Sequence, residues 1–425
     1  MKSKITFLFI FGILIIFGLA FFLNKKPLNP NKAYLASLSK NEEIIRSEDK
    51  QEEEKQPEKE SQTDNSQSQS QASQQNIKSN IETGIKDPQG QLVHHLFNIT
   101  NIPGPKCVTF SPDGKEVWVT SLLNQFRGVV VLNPSTGEKV KDINLENGGG
   151  VEIIFSKDGE KAYVSQMETA KIFEIDTGKK EISRFFDTKS AWTKMLAFSS
   201  DQSLLYASNW SGDNVSEIDL ATGKTLRLIP TVDTPRGIYL KKDDNTLYVA
   251  GFGNGEIEKI DLETKKGKII FQSKGAMRHI AVDEGKGVLY FSDMGKNIIW
   301  KVSLKDDTVT KFADTDFNPN TIVLSPDKKI LYVSCRGKNY SAENYYVPGP
   351  DWGSVLLFDT ETGKILDAII GGNQPTGMDI SPDGKLLIFS DFLDAKLEVF
   401  EIPPYEVLKN GNGGRSKIYK NELLK

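Results

Sequence analysis

The sequence predicts an all-β fold, a seven-bladed β-propeller, and three observations carry that expectation. A phrase made of a strand, an Asp-centred turn and a second strand occurs seven times: VTFSPDGKEVWVTS, IIFSKDGEKAYVSQ, LAFSSDQSLLYASN, IYLKKDDNTLYVAG, IAVDEGKGVLYFSD, IVLSPDKKILYVSC and DISPDGKLLIFSD. Its turn positions, Asp113, Asp158, Asp201, Asp243, Gly285, Asp327 and Asp383, lie 45, 43, 42, 42, 42 and 56 residues apart. Each unit also holds enough chain for four strands, and a period near this length with four strands per unit marks propeller blades.

The first strand of each unit runs into an Asp-Gly-type turn, where Gly and Asp tolerate the positive φ of a tight hairpin. The second strand reads WVT, YVS, YAS, YVA, YFS, YVS or IFS. A third strand leads to a second hairpin, as in LNPSTGEK, IDTGKK, IDLATGK and FDTETGK, and a fourth strand closes the unit. Gly137, Gly178, Gly223 and Gly363 serve that second turn; none precedes a helix, so they read as hairpin residues and not as a phosphate cradle. The seventh repeat stops at Pro403-Pro404 after three strands, and LVHHLFNI at 92–99 is expected to supply the fourth. Closing the ring this way removes sheet edges that invite aggregation.

Outside the repeat, the chain divides by composition. Residues 1–24 hold Lys2, Lys4 and an uncharged run of 19 residues at 5–23, just long enough at about 1.5 Å per residue to span a hydrocarbon core of about 30 Å. This reads as an uncleaved transmembrane signal-anchor with the propeller outside, with cleavage after Ala20 as the alternative. Residues 25–90 pass from an acidic run at 42–60 into SQTDNSQSQSQASQQN. With almost no apolar residues there, burial cannot offset ordering entropy, so this is expected to be a disordered linker. A flexible coil of about 65 residues reaches on the order of 45 Å. The propeller spans 91–403, and 404–425 reads as a loosely ordered tail.

Net charge is −4, which argues against a nucleic-acid partner. Cys107 and Cys335 are too few for a disulfide framework; a single bridge and two buried thiols both stay open. No haem or zinc signature is present, and no cofactor is expected. The propeller is expected to be monomeric.

The repeats resemble the YVTN-type propeller family. The likeness rests on PDGKEVWVTS, NTLYVAGFGNGEIEKIDLETKKG, and SPDKKILYVSCRG with FDTETGKIL, and covers roughly residues 91–402. It implies an exported or surface-associated bacterial or archaeal protein, and it implies no particular reaction.

In a propeller the first strand of each blade lines the channel. Its entry residues, seven before each turn, are Lys106, Val151, Lys194, Arg236, Arg278, Asn320 and Thr376. The cations among them would focus a positive potential on one mouth, unless they are solvated or paired. The same rim receives the residues after the second strand, including Asn209, Trp210, Phe252, Asp293, Arg336, Asp391 and Phe392. Its aromatics read either as a binding platform or as caps on blade interfaces. The longest interval adds KNYSAENYYVPGPDWG at 338–353, with Tyr340, Tyr345, Tyr346 and Trp352, expected to be either a recognition loop or a lid over the channel. The expected partner is therefore an unknown protein or a small anionic ligand, with the membrane reached through the N-terminal segment.

An enzymatic alternative rests on GAMRHIAV, which looks like the G-x-x-R-H element of lactonase-type propellers. It would place His279 as general base, with Arg278 and Asp293 beside it, on a sugar-acid lactone. The family's Y-V-x-N-E is missing. Metal-dependent chemistry would draw on Asn209, Asp293 and Asp391, but no spacing marks them as ligands, so no metal is expected.

Overall fold

Seven antiparallel sheets, six of four strands and one of five, account for the strands of the computed structural model, which describes residues 80–123, 126–340, 345–411 and 414–425. The inner strands are Pro105–Phe110, Gly150–Phe155, Thr193–Phe198, Pro235–Leu240, Met277–Asp283, Pro319–Leu324 and Pro375–Ile380. Each packs against the next around the ring, with the last beside the first. The expected seven-bladed propeller is the observed fold. The apolar run at 5–23 and the linker through residue 79 lie outside the described residues; no described helix is long and apolar enough to cross a membrane.

The repeated phrase forms its turn as the chemistry requires. Ser111 Oγ donates to Asp113 Oδ1 at 2.7 Å while accepting the Glu116 N–H at 3.0 Å, and Gly114 beyond it takes φ +70°. The same serine-aspartate pair recurs at Ser199–Asp201, Ser325–Asp327 and Ser381–Asp383. Apolar residues of successive blades then meet face to face. Tyr290 and Val288 of blade five, for example, share a core with Leu331, Val333 and Phe358 of blade six, each such side chain contributing about 1.5–3 kcal/mol on burial.

The ring closes through His94–Thr100, which pairs with Lys396–Glu401 as anticipated. Two features depart from expectation. The strand Asn80–Thr83, placed in the linker by composition, adds a fifth, outermost strand to blade seven through pairing with His94–Thr100. All four residues are exposed, so no apolar pattern announces it; the neighbouring main chain supplies the register. Beyond it, Asp87 accepts the His95 N–H at 2.8 Å, and Asp367 accepts those of Leu92 and Val93 at 2.8 and 2.9 Å.

The tail is likewise ordered. Helices Tyr405–Asn410 and Gly414–Ile418 lead into a 3-10 turn, Tyr419–Glu422, over blade six. Arg415, 2% exposed, donates to the Ala368 carbonyl at 2.9 Å and to both oxygens of Glu422. Tyr419 donates to Asp316 at 3.2 Å and Tyr405 to Asp359 at 2.6 Å. Few apolar anchors among polar residues concealed this in the sequence. Both cysteines are free and buried.

The channel mouth as a candidate functional site

Every inner strand carries a β-bulge near its start. The register jumps between Pro105 and Val108, Gly150 and Glu152, Thr193 and Leu196, Pro235 and Ile238, Met277 and Ile280, Pro319 and Ile322, and Pro375 and Met378. A bulge re-aims side chains, and the residues it contains are the mouth column expected from the sequence.

A hydroxyl fixes five of the seven bulges. The serine or threonine of the YVS-type strand accepts the bulged N–H: Thr120 from Cys107, Ser208 from Met195, Ser292 from His279, Ser334 from Thr321 and Ser390 from Gly377. Ser208, Ser292 and Ser334 also donate into the next blade, to the carbonyls of Arg236, Asn320 and Thr376. The mouth is thus positioned by hydrogen bonds from blade to blade.

Its cations are buried, which rules out the solvated alternative for most of them. Lys194, Arg236, Arg278 and Arg336 are 4, 6, 5 and 2% exposed. Lys194 lies 4.4 Å from the Trp210 ring and 5.0 Å from that of Trp192, with Arg236 5.3 Å from Trp210. Arg278 donates through Nε to Asn320 and Arg336 through Nη2 to Gln374. Lys106 donates to the Tyr345 hydroxyl at 2.9 Å and lies 4.9 Å from the Phe392 ring. Aromatic faces offset part of the cost of burying these charges. Trp210, Phe252 and Phe392 are 6, 2 and 1% exposed, so they pack beneath and between the cations instead of forming an open platform.

The blade-six insertion covers this end. Tyr345 is 7% exposed, its ring 4.2 Å from the Arg336 guanidinium and 5.6 Å from Phe392. Tyr346 meets Tyr345 edge-on at 5.2 Å. Trp352 is held by the tail: its N–H donates to the Leu423 carbonyl at 2.8 Å, and Lys425 Nζ lies 4.5 Å from its ring. Within the described part of the insertion Tyr345, Asp351 and Gly353 are buried, while Lys338, Tyr340, Pro348 and Pro350 are exposed.

Below the mouth is a cavity of about 140 Å³. Lys106, Arg236, Arg278 and Asn320 line it above; Cys107, Glu152, His279 and Asp379 line it further along the inner strands. Burial raises the Glu152 carboxyl to about 8 against the opposing pull of Arg236 and Arg278. Burial also raises Asp379 to about 6, although Phe110 and Ile380 donate N–H bonds to it. Burial lowers Arg236 to about 10, opposed by Glu152. Three polar groups at the mouth hold buried nitrogens with no partner among the described residues: Arg236 at Nε and Nη1, Asn320 at Nδ2, and Arg336 at Nε.

The structure does not bring the lactonase trio together. Asp293 accepts from the Ala276 N–H at 2.9 Å and the Trp300 indole at 3.0 Å, and among the described residues no hydrogen bond joins it to His279. The His279 Nδ1 accepts the Ile322 N–H at 3.4 Å, which assigns the ring proton to Nε2. Burial, with Arg236 and Arg278 nearby, lowers His279 to about 3. The ring is neutral at pH 7 and presents no free lone pair to a substrate. Asn209 and Asp391, expected at the rim, are spent inside their blades. Asn209 bonds Thr193, Asn214 and Ser216; Asp391 accepts the Gly372 N–H and pairs with Lys396 at 3.2 Å. Among the described residues no group of three or more His, Cys, Asp or Glu side chains is placed to hold a metal. Glu152 and Asp379 lie outside both the entry column and the rim positions that the repeat marks. One and three residues further along, they stand as carboxylates among small and apolar residues.

These features define a seven-bladed β-propeller with a cationic, lidded channel mouth. A chain of Kuenenia stuttgartiensis hydrazine synthase shares the fold, with a TM-score of 0.61 and 17% identity over 75% of this chain and 99% of that one. No known family profile matches the sequence. Antigen Lp49 of Leptospira interrogans is 31% identical over 307 residues, covering 70% of this chain and 67% of that protein. The chain belongs to the family of that antigen.

Proposed function

We propose that the protein is a membrane-tethered, extracytoplasmic binding module whose ligand is anionic and seats at the channel mouth. The observation that carries the ligand class is Arg236: a guanidinium 6% exposed, lining the cavity, whose Nε and Nη1 have no partner among the described residues. An unsatisfied buried donor on a charged group costs more than the 1–3 kcal/mol or so of a neutral one, and a carboxylate or phosphate oxygen relieves it with a charge-assisted bond. Asn320 and Arg336 add donors at the same mouth. The propeller fold itself supports a binding or interaction role, and the relative's designation as an antigen agrees with exposure outside the cell. The apolar run at 5–23 supports the tether.

Two experiments test this reading. Thermal shift of the full chain with inorganic phosphate or acetate, at matched ionic strength, should raise the melting temperature in the wild type and not in Arg236→Gln. Equal shifts in both proteins would remove Arg236 from the site. Fractionation of cells producing the full chain should leave it in the membrane, with the propeller open to protease added outside; a protected or soluble product would reject the tether.

A further inference from the structure

The cavity beneath the mouth is electrically divided. Arg236, whose Nε and Nη1 have no partner among the described residues, lines it together with Glu152. The two feel each other's charge, yet no ion pair joins them among the described residues. They face one space without closing on each other. Asp379 adds a second carboxylate on the Glu152 side, and Asn320 a free N–H on the Arg236 side. A volume of about 140 Å³ is close to that of an engineered cavity that admits a benzene ring, so about six heavy atoms fit.

We infer that the anionic ligand is a small zwitterion, a free α-amino acid of the size of glycine or alanine. Its carboxylate bonds Arg236 and Asn320, and its ammonium faces Glu152 and Asp379. This rests on the anion-binding reading above and adds the second, cationic end. A lone anion would satisfy Arg236 but would set a further negative charge beside the Asp379 carboxylate and leave the Glu152 carboxyl without a cation to face. A zwitterion satisfies both ends and brings no net charge into a low-dielectric space. The ammonium favours ionised Glu152, so binding near neutral pH releases a proton from that carboxyl to the buffer. Arg236, Arg278 and Asp379 act on Glu152 from the inner strands of blades four, five and seven, and His279 and Cys107 line the same cavity.

Calorimetric titration of the full chain with glycine, alanine, acetate, methylamine and inorganic phosphate decides the matter. Glycine or alanine should bind at least about tenfold more tightly than acetate or methylamine, a difference near 1.4 kcal/mol. Glu152→Gln should abolish that preference, and the apparent enthalpy should vary with the buffer's ionisation enthalpy in the wild type only. Acetate or phosphate binding as well as glycine, unaffected by Glu152→Gln, would overturn the zwitterion and leave the anion site standing. No binding by any of the five, with Arg236→Gln and wild type melting alike, overturns both. Arg236→Lys, which keeps the charge, gives a second test should the Gln variant fail to fold: it should weaken glycine binding without eliminating it.

Discussion

The Ser208 hydroxyl donates to the Arg236 carbonyl across 2.7 Å while accepting the Met195 N–H at 3.0 Å. One side chain therefore closes the bulge of blade three and fixes the main chain that presents a cation in blade four. The relation repeats at Ser292 with Asn320 and at Ser334 with Thr376. It explains why the serine of the YVS phrase recurs although it takes no part in the Asp-centred turn.

Ser208→Ala should destabilise the propeller by about 1–3 kcal/mol, because a buried N–H and a buried carbonyl lose their partner together. Blade four carries Ala250 at the equivalent place, so Ala250→Ser offers the converse. It should be neutral or stabilise by up to about 1.5 kcal/mol. Denaturant midpoints of the two variants check both, and equal destabilisation by both would contradict the account.

Glu152 makes stability depend on pH in a definite direction. Its carboxyl lies at about 8 in the folded chain against an ordinary value of 4.5. The stability this group contributes is thus complete below about pH 4.5 and is lost as pH rises to about 8. Asp379, raised to about 6 from 3.8, acts the same way over a lower window. Glu152→Gln should gain on the wild type between pH 4.5 and 8, with a constant difference above. Melting temperatures measured from pH 4 to 9 test it; a difference that does not change with pH would refute the assignment.

Tyr345 closes the mouth over Lys106 and Arg336. Tyr345→Ala should admit iodide to the indole of Trp210, now 6% exposed, and so increase quenching of tryptophan fluorescence. Tyr345→Phe, which keeps the ring and loses only the hydroxyl, should quench like the wild type. Equal quenching in all three proteins would show that the ring is no barrier.

The tail should act as a clamp on the insertion. Removing residues 419–425 deletes the Tyr419–Asp316 bond, the Leu423 carbonyl that holds Trp352, and the Lys425 contact with Gly349 at 2.7 Å. Amide exchange at Trp352 should quicken by about tenfold or more, the factor that corresponds to losing about 1.4 kcal/mol of local protection. Unchanged exchange would mean that the insertion stands without the tail.

The sequence by itself determined the number of blades, the position of their turns, the closing strand and the column of residues at the mouth. These follow from local chemistry repeated at a fixed period: a serine-aspartate turn and alternating apolar positions read alike in every copy. What only the tertiary structure decided is which of those residues are free to act. Asn209, Asp293 and Asp391 sit at the right place in the repeat but are consumed by hydrogen bonds within their own blades. Arg236 and Glu152 come from blades four and two and meet only because the ring closes. Partnering and burial are properties of contacts between distant segments, and a repeat pattern holds no record of them. The same reason hid Arg415 and the strand Asn80–Thr83, whose order depends on the blades they dock against.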